Sequence, residues 1–153
     1  MAIPVLDFKV TVAALLTIAF CLVLHAFMLF GLLRLQAAFR RWWPTATGGR
    51  LVVTSVLLAT VPLVVSTFLQ IAIWAGVLWC FGNFATINDA LYFSGTTYTT
   101  LGTAQHALIP PNRLLEPVEA TNGMLAAGLN TAFLFAVLSS VAKKHAAYDD
   151  FFR

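Results

Sequence analysis

The chain has 153 residues, of which 60% are apolar and 10% are charged, and its net charge at pH 7 is +3. Soluble domains carry roughly 25% charged residues, so this composition excludes an ordinary soluble domain and predicts a membrane protein. The sequence contains no Gly-rich phosphate loop, no metal-ligand spacing and no paired nucleophile and base. We therefore expect neither an enzyme nor a bound cofactor, and nothing in the pattern indicates a nucleic-acid partner.

The predicted membrane spans come from uncharged stretches. Three long, predominantly apolar stretches of the chain carry no charged residue: 10–33, 51–88 and 120–142. A helix needs about 20 mostly apolar residues to cross a bilayer. We therefore predict transmembrane helices at about 8–34, 51–81 and 119–142, all within a single membrane domain that covers residues 1–153.

Basic residues predict the orientation of these spans. Seven of them lie on one side of the predicted membrane: Arg34, Arg40, Arg41, Arg50, Lys143, Lys144 and Arg153. Only Lys9 and Arg113 lie on the other side. Because cytoplasmic loops carry an excess of Lys and Arg, we expect a cytoplasmic C-terminus and an N-terminus outside the cell. The expected location is the plasma membrane, taken to be a bacterial inner membrane, which the chain crosses several times.

A Thr-rich run between the second and third spans is the most unusual segment. It reads Ala90-Leu-Tyr-Phe-Ser-Gly-Thr-Thr-Tyr-Thr-Thr-Leu-Gly102 and is too short to cross a bilayer. A polar segment at membrane depth must line water or be buried in protein, because lipid cannot satisfy its backbone groups. Asn88 and Asp89 are the expected caps of a short helix that begins near Ala90 and ends near Thr99. Partial negative charge at the C-terminal end of that helix would favour a cation near the membrane centre.

This run resembles the pore helix and the start of the selectivity filter in potassium channels with two-helix pores. That family has a pattern like A-x-Y/W-F/W-S-x-x-T-x-T-T-V-G-Y-G-D. The match continues through Thr99-Thr100-Leu101-Gly102, after which Thr103-Ala104-Gln105 stand where the family has Tyr-Gly-Asp. The resemblance covers about residues 55–142, so the first predicted span lies outside it.

The resemblance implies an all-α membrane protein with three transmembrane helices plus a re-entrant pore helix and a filter loop, arranged as a tetrameric pore-loop channel. In this interpretation, residues 89–105 form the pore helix and the filter. The helix at 51–81 is the outer pore helix, and the helix at 119–142 is the inner, pore-lining helix. The helix at 8–34 packs peripherally.

The roles of the filter residues follow from the same resemblance. Potassium channels replace the water around the ion with rings of backbone carbonyls from four subunits. The residues that correspond to these ion sites are Thr100, Leu101, Gly102 and Thr103, with monovalent cations expected at the first three. The residues that correspond to filter support are Thr99, Ala104 and Gln105. Gly102 is retained where the backbone needs a conformation that is unusual for other residues.

The outer half of the filter departs from the family pattern. Thr103 is too short to brace the filter as the family's Tyr does. Ala104 would incur a steric cost at positive φ, and Gln105 replaces an Asp that stabilises the filter from behind. We therefore expect the inner ion sites to survive and the outer mouth to be wider.

The third span and its approach contain further candidate site residues. Gly128, Asn130 and Thr131 are candidates for the pore lining, although small residues also suit close helix packing, and this alternative stays open. Glu116 and Glu119 are candidates for acidic rings at an outer vestibule. An ordinary charged helix start is the alternative for these two residues.

Two histidines are candidates for pH sensing. His25 lies within the first span, where an ionisable side chain often has a function. A neutral, hydrogen-bonded histidine is the alternative at that position. His106 follows the filter region and could make the mouth sensitive to pH, or could simply be a solvated loop residue.

The predicted function is a homotetrameric cation channel that conducts monovalent cations, K⁺ and Na⁺, with weak discrimination. The expected partners are further copies of the chain and the lipid bilayer, and the expected ligands are permeant ions. Two alternatives stay open: a potassium-selective channel with a variant filter, and a non-conducting membrane scaffold or accessory channel subunit. We expect no soluble ligand domain after residue 142, and no span carries the regularly spaced Arg or Lys of a voltage sensor. The sequence therefore indicates no gating stimulus.

Overall fold

A computed structural model of the chain describes residues 7–43, 48–102 and 108–151. Four α-helices follow one another in these ranges: α1 (Phe8–Trp42), α2 (Gly48–Cys80), α3 (Ile87–Tyr98) and α4 (Leu115–Phe151). A short 3₁₀ turn at Asn112–Leu114 leads into α4. No strand occurs in the described part of the chain, so the all-helical prediction is confirmed.

The three predicted spans are confirmed as apolar helices. Three helical segments are long and apolar enough to cross a membrane: Phe8–Trp42, Arg50–Cys80 and Asn112–Lys143. All three helices extend beyond the predicted bounds: α1 continues past Arg34 to Trp42, α2 begins at Gly48, and α4 runs from Leu115 to Phe151. Basic side chains do not end α1, since their long apolar stems let the charge reach water from a helix end.

Helix α3 is too short to cross a bilayer. Its 12 residues span about 18 Å at roughly 1.5 Å per residue, against a hydrocarbon core of about 30 Å. The prediction that Asn88 or Asp89 caps this helix is wrong, because the N-cap is Thr86. The Thr86 hydroxyl accepts a hydrogen bond from the Asp89 amide at 3.2 Å and donates one to the Asp89 carboxylate at 2.7 Å. This reciprocal cap also places a negative charge at the N-terminal end of the helix dipole.

The helices pack as two compact units. The units comprise Met1–His25 with Thr67–Ala127, and Ala26–Ser66 with Gly128–Arg153. In the first unit, Trp74 and Phe93 are core residues with 0% and 2% exposure. In the second unit, Leu63 and Phe133 belong to a smaller core. Helix α3 lies in the first unit, which therefore contains the predicted pore helix.

Most of the apolar surface of the long helices faces outward. In the most apolar window of each candidate span, only 22%, 28% and 22% of the residues are buried within the chain. Large side chains such as Phe27, Phe68 and Phe135 are 72%, 66% and 71% exposed. Helices that are apolar on every face are typical of membrane spans. The structure therefore supports a membrane protein with three candidate spans.

Candidate functional site

The turn after α3 contains three of the predicted filter residues. The amide of Thr100 donates to the carbonyl oxygen of Thr97 at 2.9 Å. The amide of Gly102 donates to the carbonyl oxygen of Thr96 at 3.1 Å. Thr100 and Gly102 have positive φ angles of 60° and 72°. Left-handed residues after a helix satisfy its last carbonyls and change the chain direction, so Gly102 has the unusual backbone conformation that the sequence predicts.

Thr100 carries backbone strain. A β-branched residue rarely adopts positive φ, because its Cβ comes close to the backbone carbonyl oxygen. Such a conformation costs roughly 1–3 kcal/mol. Burial does not offset the cost within one chain, since Thr100 is exposed and the neighbouring Leu101 is 79% exposed. Strained residues cluster at functional sites, and the Thr100–Gly102 turn is our candidate site.

Thr100→Gly should stabilise the chain, whereas Thr99→Gly should destabilise it. Glycine adopts the positive φ of residue 100 without a steric cost, so the free energy of unfolding should rise by about 1 kcal/mol. Thr99 has a φ of −82°, and its hydroxyl donates to the Gly95 carbonyl oxygen at 2.7 Å. Glycine at position 99 therefore loses a bond and adds freedom to the unfolded chain. Thermal unfolding in detergent measures the change in stability of each variant. If both variants lose the same stability, Thr100 is not strained.

Ser94 fixes the buried face of α3. Its hydroxyl donates to the carbonyl oxygen of Ile71 in α2 at 2.8 Å. The same oxygen makes a hydrogen-bond contact with Oε1 of Glu119 in α4. Ser94 and Glu119 are both 0% exposed. One hydroxyl thus connects the short helix to α2 and to α4.

The two predicted vestibule carboxyls have different positions. Glu119 is fully buried, and its Oε2 has no hydrogen-bond partner in the described part of the chain. Its side chain therefore does not face an outer vestibule in this structure, contrary to the expectation. Glu116, almost one helical turn earlier, is half-buried and borders the cavity beside Thr100. Of this pair, only Glu116 lines the cavity beside Thr100.

A buried polar network connects all four α-helices. Oε1 of Gln70 in α2 accepts a hydrogen bond from the Tyr98 hydroxyl of α3 at 3.0 Å. The same oxygen accepts one from the Asn122 amide of α4 at 3.4 Å. Gln70 Nε2 lies 3.1 Å from Nδ1 of His25 in α1. All four side chains are at most 4% exposed. Because buried polar groups are costly without partners, this network helps to fix the C-terminal end of α3.

The network assigns a structural role to His25. A side-chain amide nitrogen can only donate, so His25 Nδ1 accepts the bond from Gln70 and the ring proton of this tautomer lies on Nε2. His25 is 1% exposed, and its Nε2 has no partner among the described residues. Of the two alternatives for His25, this geometry favours the neutral, hydrogen-bonded histidine. It also ties the first helix, which lies outside the family resemblance, to the end of α3.

Helix α4 approaches the backbone of α3 closely at Gly123. A Cβ added at Gly123 would overlap the Tyr98 carbonyl oxygen and would lie 2.8 Å from the Tyr98 carbonyl carbon. The neighbouring atoms belong to the backbone, which cannot swing aside as a flexible side chain can. Only glycine fits this contact without moving a helix.

A cavity of about 450 Å³ lies beside the candidate turn. Its lining combines hydroxyls, charges and small apolar groups: Thr97, Thr100, Gly102, Arg113, Glu116, Pro117 and Ala120. The structure thus brings Thr100 and Gly102 together with Glu116 around one cavity. Arg113 is an additional charge that the sequence analysis assigned to no site.

The other predicted site residues have varied positions. Thr99 is exposed, and its hydroxyl donates to the Gly95 carbonyl oxygen at 2.7 Å. Gly128 and Thr131 are exposed on α4, and Asn130 is half-buried with an Oδ1 that has no partner in the described chain. These three residues belong to the second compact unit. The remaining predicted residues lie outside the described ranges: Thr103, Ala104, Gln105 and His106.

Sequence reasoning missed Gln70, Tyr98 and Asn122 as a group. The available signal was the amide side chains within otherwise apolar spans, Gln70 in the second span and Asn122 in the third, where Asn130 is also present. Such residues often bond across helices in a membrane. Their shared partner could not be inferred, because Gln70 and Asn122 are 52 positions apart.

Comparisons with protein-family models, with curated proteins and with solved structures find no match to the chain. Among the described residues, no group of three or more His, Cys, Asp and Glu side chains is suited to hold a metal ion. The chemical groups at the turn are backbone carbonyls, hydroxyls and the nearby Glu116, which are hard oxygen ligands suited to weakly held cations.

Proposed function

We propose that the chain is the subunit of a homotetrameric cation channel that conducts K⁺ and Na⁺ with weak discrimination. The observation that carries this proposal is the way α3 ends. The helix is held by buried polar contacts to the long helices, and it leads directly into two left-handed residues, Thr100 and Gly102, beside a cavity. A short helix that ends in exposed, oriented backbone groups between two long apolar helices is typical of sites that hold ions at membrane depth.

The proposed ion sites use backbone oxygens. One chain supplies a single set of carbonyls at Thr100, Leu101 and Gly102, and four copies around an axis would supply rings of four. The C-terminal end of α3 adds partial negative charge on the same side, which favours a cation. Glu116 would add a carboxylate at the outer approach. The residues that follow, Thr103-Ala104-Gln105, lack the Tyr that braces a potassium filter, so we propose weak discrimination.

Each long helix has a proposed place in the assembly. Helix α4 is the inner helix, with Gly128, Asn130 and Thr131 toward the conduction path, and α2 is the outer helix. Helix α1 packs at the periphery but is not dispensable, because His25 belongs to the network that fixes Tyr98. The exposed apolar surface of the spans, together with Leu101 in the turn after α3 at 79% exposure, supports contacts with other subunits and lipid. Following the positive-inside rule, we place the C-terminus in the cytoplasm of a bacterial cell and the N-terminus outside.

Flux measurements test the proposal. Purified protein reconstituted into liposomes should release K⁺ and Na⁺ at rates within about tenfold of each other, since few sites fully replace the ion's water shell. Particle images of the same sample should show four-fold symmetry. Liposomes without protein and liposomes with heat-unfolded protein are the controls.

Three outcomes would change the conclusion. Strong preference for K⁺ over Na⁺ would replace the proposal with a potassium-selective channel that has a variant filter. A tetramer without flux under any applied voltage would favour a scaffold or accessory subunit. A monomer, or a three-fold assembly, would exclude the pore.

A further inference from the structure

The second compact unit contains a cavity with a polar end and an apolar end. Its volume is about 310 Å³, at the lower limit of pockets that hold small molecules, which span roughly 300–1,000 Å³. Two helical stripes line it: Leu33, Gln36, Ala37 and Arg40 from α1, and Phe133, Ala136, Val137 and Ser140 from α4. Each stripe follows the spacing of one helix face, over about two turns, and each runs from an apolar residue to a polar one.

The polar end of the cavity contains Arg40, a cation with no anionic partner among the side chains that the structure describes. Arg40 is half-buried, and its Nη1 donates to the Ser140 hydroxyl at 2.7 Å. The guanidinium makes no ion pair with any side chain that the structure describes. A guanidinium has five N–H donors in a planar fork that matches phosphate oxygens. Arg40 therefore has donors left for an anionic ligand.

Gln36, one turn earlier on the same face of α1, adds an unsatisfied acceptor. Its Nε2 donates to the Ser55 carbonyl oxygen at 2.7 Å. The side chain is only 5% exposed, and its Oε1 is buried without a hydrogen-bond partner in the described chain. Gln36 also lines the cavity, so a ligand that brings a hydroxyl would satisfy this acceptor once the side-chain amide turns toward the cavity.

The position of the cavity fits the headgroup level of a membrane. Arg40 lies two residues before Trp42, the last residue of α1. Trp42 and Trp43 are 84% and 62% exposed. Exposed tryptophans are enriched at the interface between membrane and water. The apolar end of the cavity, at Leu33 and Phe133, then lies deeper, on the hydrocarbon side of the headgroup level.

We propose that this cavity binds a phospholipid with an anionic phosphodiester and a hydroxyl-bearing headgroup, such as phosphatidylglycerol. Arg40 and Ser140 bind the phosphodiester, and a headgroup hydroxyl donates to Gln36 Oε1. The apolar end of the cavity binds the first part of an acyl chain. A choline headgroup is excluded, because its quaternary ammonium brings a positive charge near Arg40 and has no proton to donate to Gln36. The site does not depend on whether the chain conducts ions.

Two neighbouring arginines provide a matched test. Arg40→Gln and Arg41→Gln remove the same charge from adjacent positions, but Arg41 is exposed and does not line the cavity. In native mass spectrometry of detergent-purified protein, phosphatidylglycerol should bind at least about tenfold more weakly to Arg40→Gln, because a charge-assisted bond contributes about 1.5–3 kcal/mol. Arg41→Gln should bind like the unmodified chain. Equal losses in the two variants would show a general attraction to anionic lipid and would overturn the site.

Gln36 is tested with two lipids of equal charge. Phosphatidylmethanol has the same phosphodiester as phosphatidylglycerol but no headgroup hydroxyl. The unmodified chain should prefer phosphatidylglycerol, and Gln36→Leu should bind the two lipids equally. Equal binding of phosphatidylcholine with matched chains, or displacement of the lipid by soluble glycerol 3-phosphate, would overturn the proposal. Arg40→Lys keeps the charge and should retain binding in part, which separates lost recognition from lost folding.

Discussion

Gly123→Ala should separate the end of α3 from α4, whereas Gly128→Ala should leave the fold unchanged or slightly more stable. Alanine is normally favoured over glycine inside a helix by roughly 1 kcal/mol. At position 123 the added methyl group would overlap the Tyr98 backbone. Overpacking of this kind costs roughly 1–3 kcal/mol, and a backbone neighbour leaves little room for relaxation. The same substitution is therefore expected to have opposite signs at two positions of one helix.

Thermal unfolding of purified protein in detergent measures this difference. In the described part of the chain, no atom beyond the surrounding turns of the same helix lies within 4 Å of a Cβ added at Gly128 or at Gly76, so Gly128→Ala and Gly76→Ala are matched controls. Gly123→Ala should lower the unfolding temperature by several degrees relative to both controls. In liposomes it should also reduce cation flux, because Tyr98 precedes the Thr100–Gly102 turn. If Gly123→Ala behaves like Gly128→Ala, the close approach of α3 and α4 is not present in solution.

The spans could be predicted from the sequence because a transmembrane helix can be recognised from the composition of one continuous segment. Lipid offers no hydrogen bonds, so a long uncharged run has few alternatives to a membrane helix. The exact ends were less predictable, since α1 continues through Arg34 and Arg40 to Trp42. Charged side chains near a helix end can extend to the interface, and composition alone does not show where they do so.

Contacts between distant segments were beyond sequence reasoning. Gly123 and Gly128 look alike in the sequence, yet only Gly123 contacts the backbone of another helix. Glu119 resembled a surface carboxyl at a helix start, but Ser94 and the surrounding helices bury it. In both cases the environment of the residue depends on which residues of α3 face α4. The sequence pattern of one helix does not determine how two helices are aligned against each other.

Local backbone conformation was less predictable than the spans but more predictable than the contacts between distant segments. The positive φ of Gly102 followed from the residue type and the family resemblance, because glycine is the residue that adopts this conformation readily. The positive φ of Thr100 was not predicted, since the conformation is unfavourable for a β-branched residue. It becomes understandable only with the two hydrogen bonds that return to Thr96 and Thr97.

Gln70→Leu should destabilise the first compact unit more than any other single change in the polar network. Leucine removes the acceptor of Tyr98 and Asn122 and the donor to His25. Each buried polar group that loses its partner costs roughly 1–3 kcal/mol, so the expected loss is about 3 kcal/mol or more. Tyr98→Phe removes a single hydroxyl and leaves the Asn122 contact in place, so it should cost only about 1 kcal/mol.

A double-mutant cycle separates the network from simple packing. If the hydroxyl of Tyr98 and the amide of Gln70 act together, the double variant should be destabilised by less than the sum of the single variants, with a coupling of about 0.5–3 kcal/mol. Gln36→Leu is the matched control, because it replaces a buried glutamine of the second unit that has no described bond to α3. Hydrogen exchange should become faster in the last turn of α3 in Gln70→Leu and stay unchanged in Gln36→Leu. If the stability losses are additive and hydrogen exchange in α3 is unchanged, packing alone holds α3. The hydrogen bonds that connect His25 to the candidate turn would then contribute nothing to its stability.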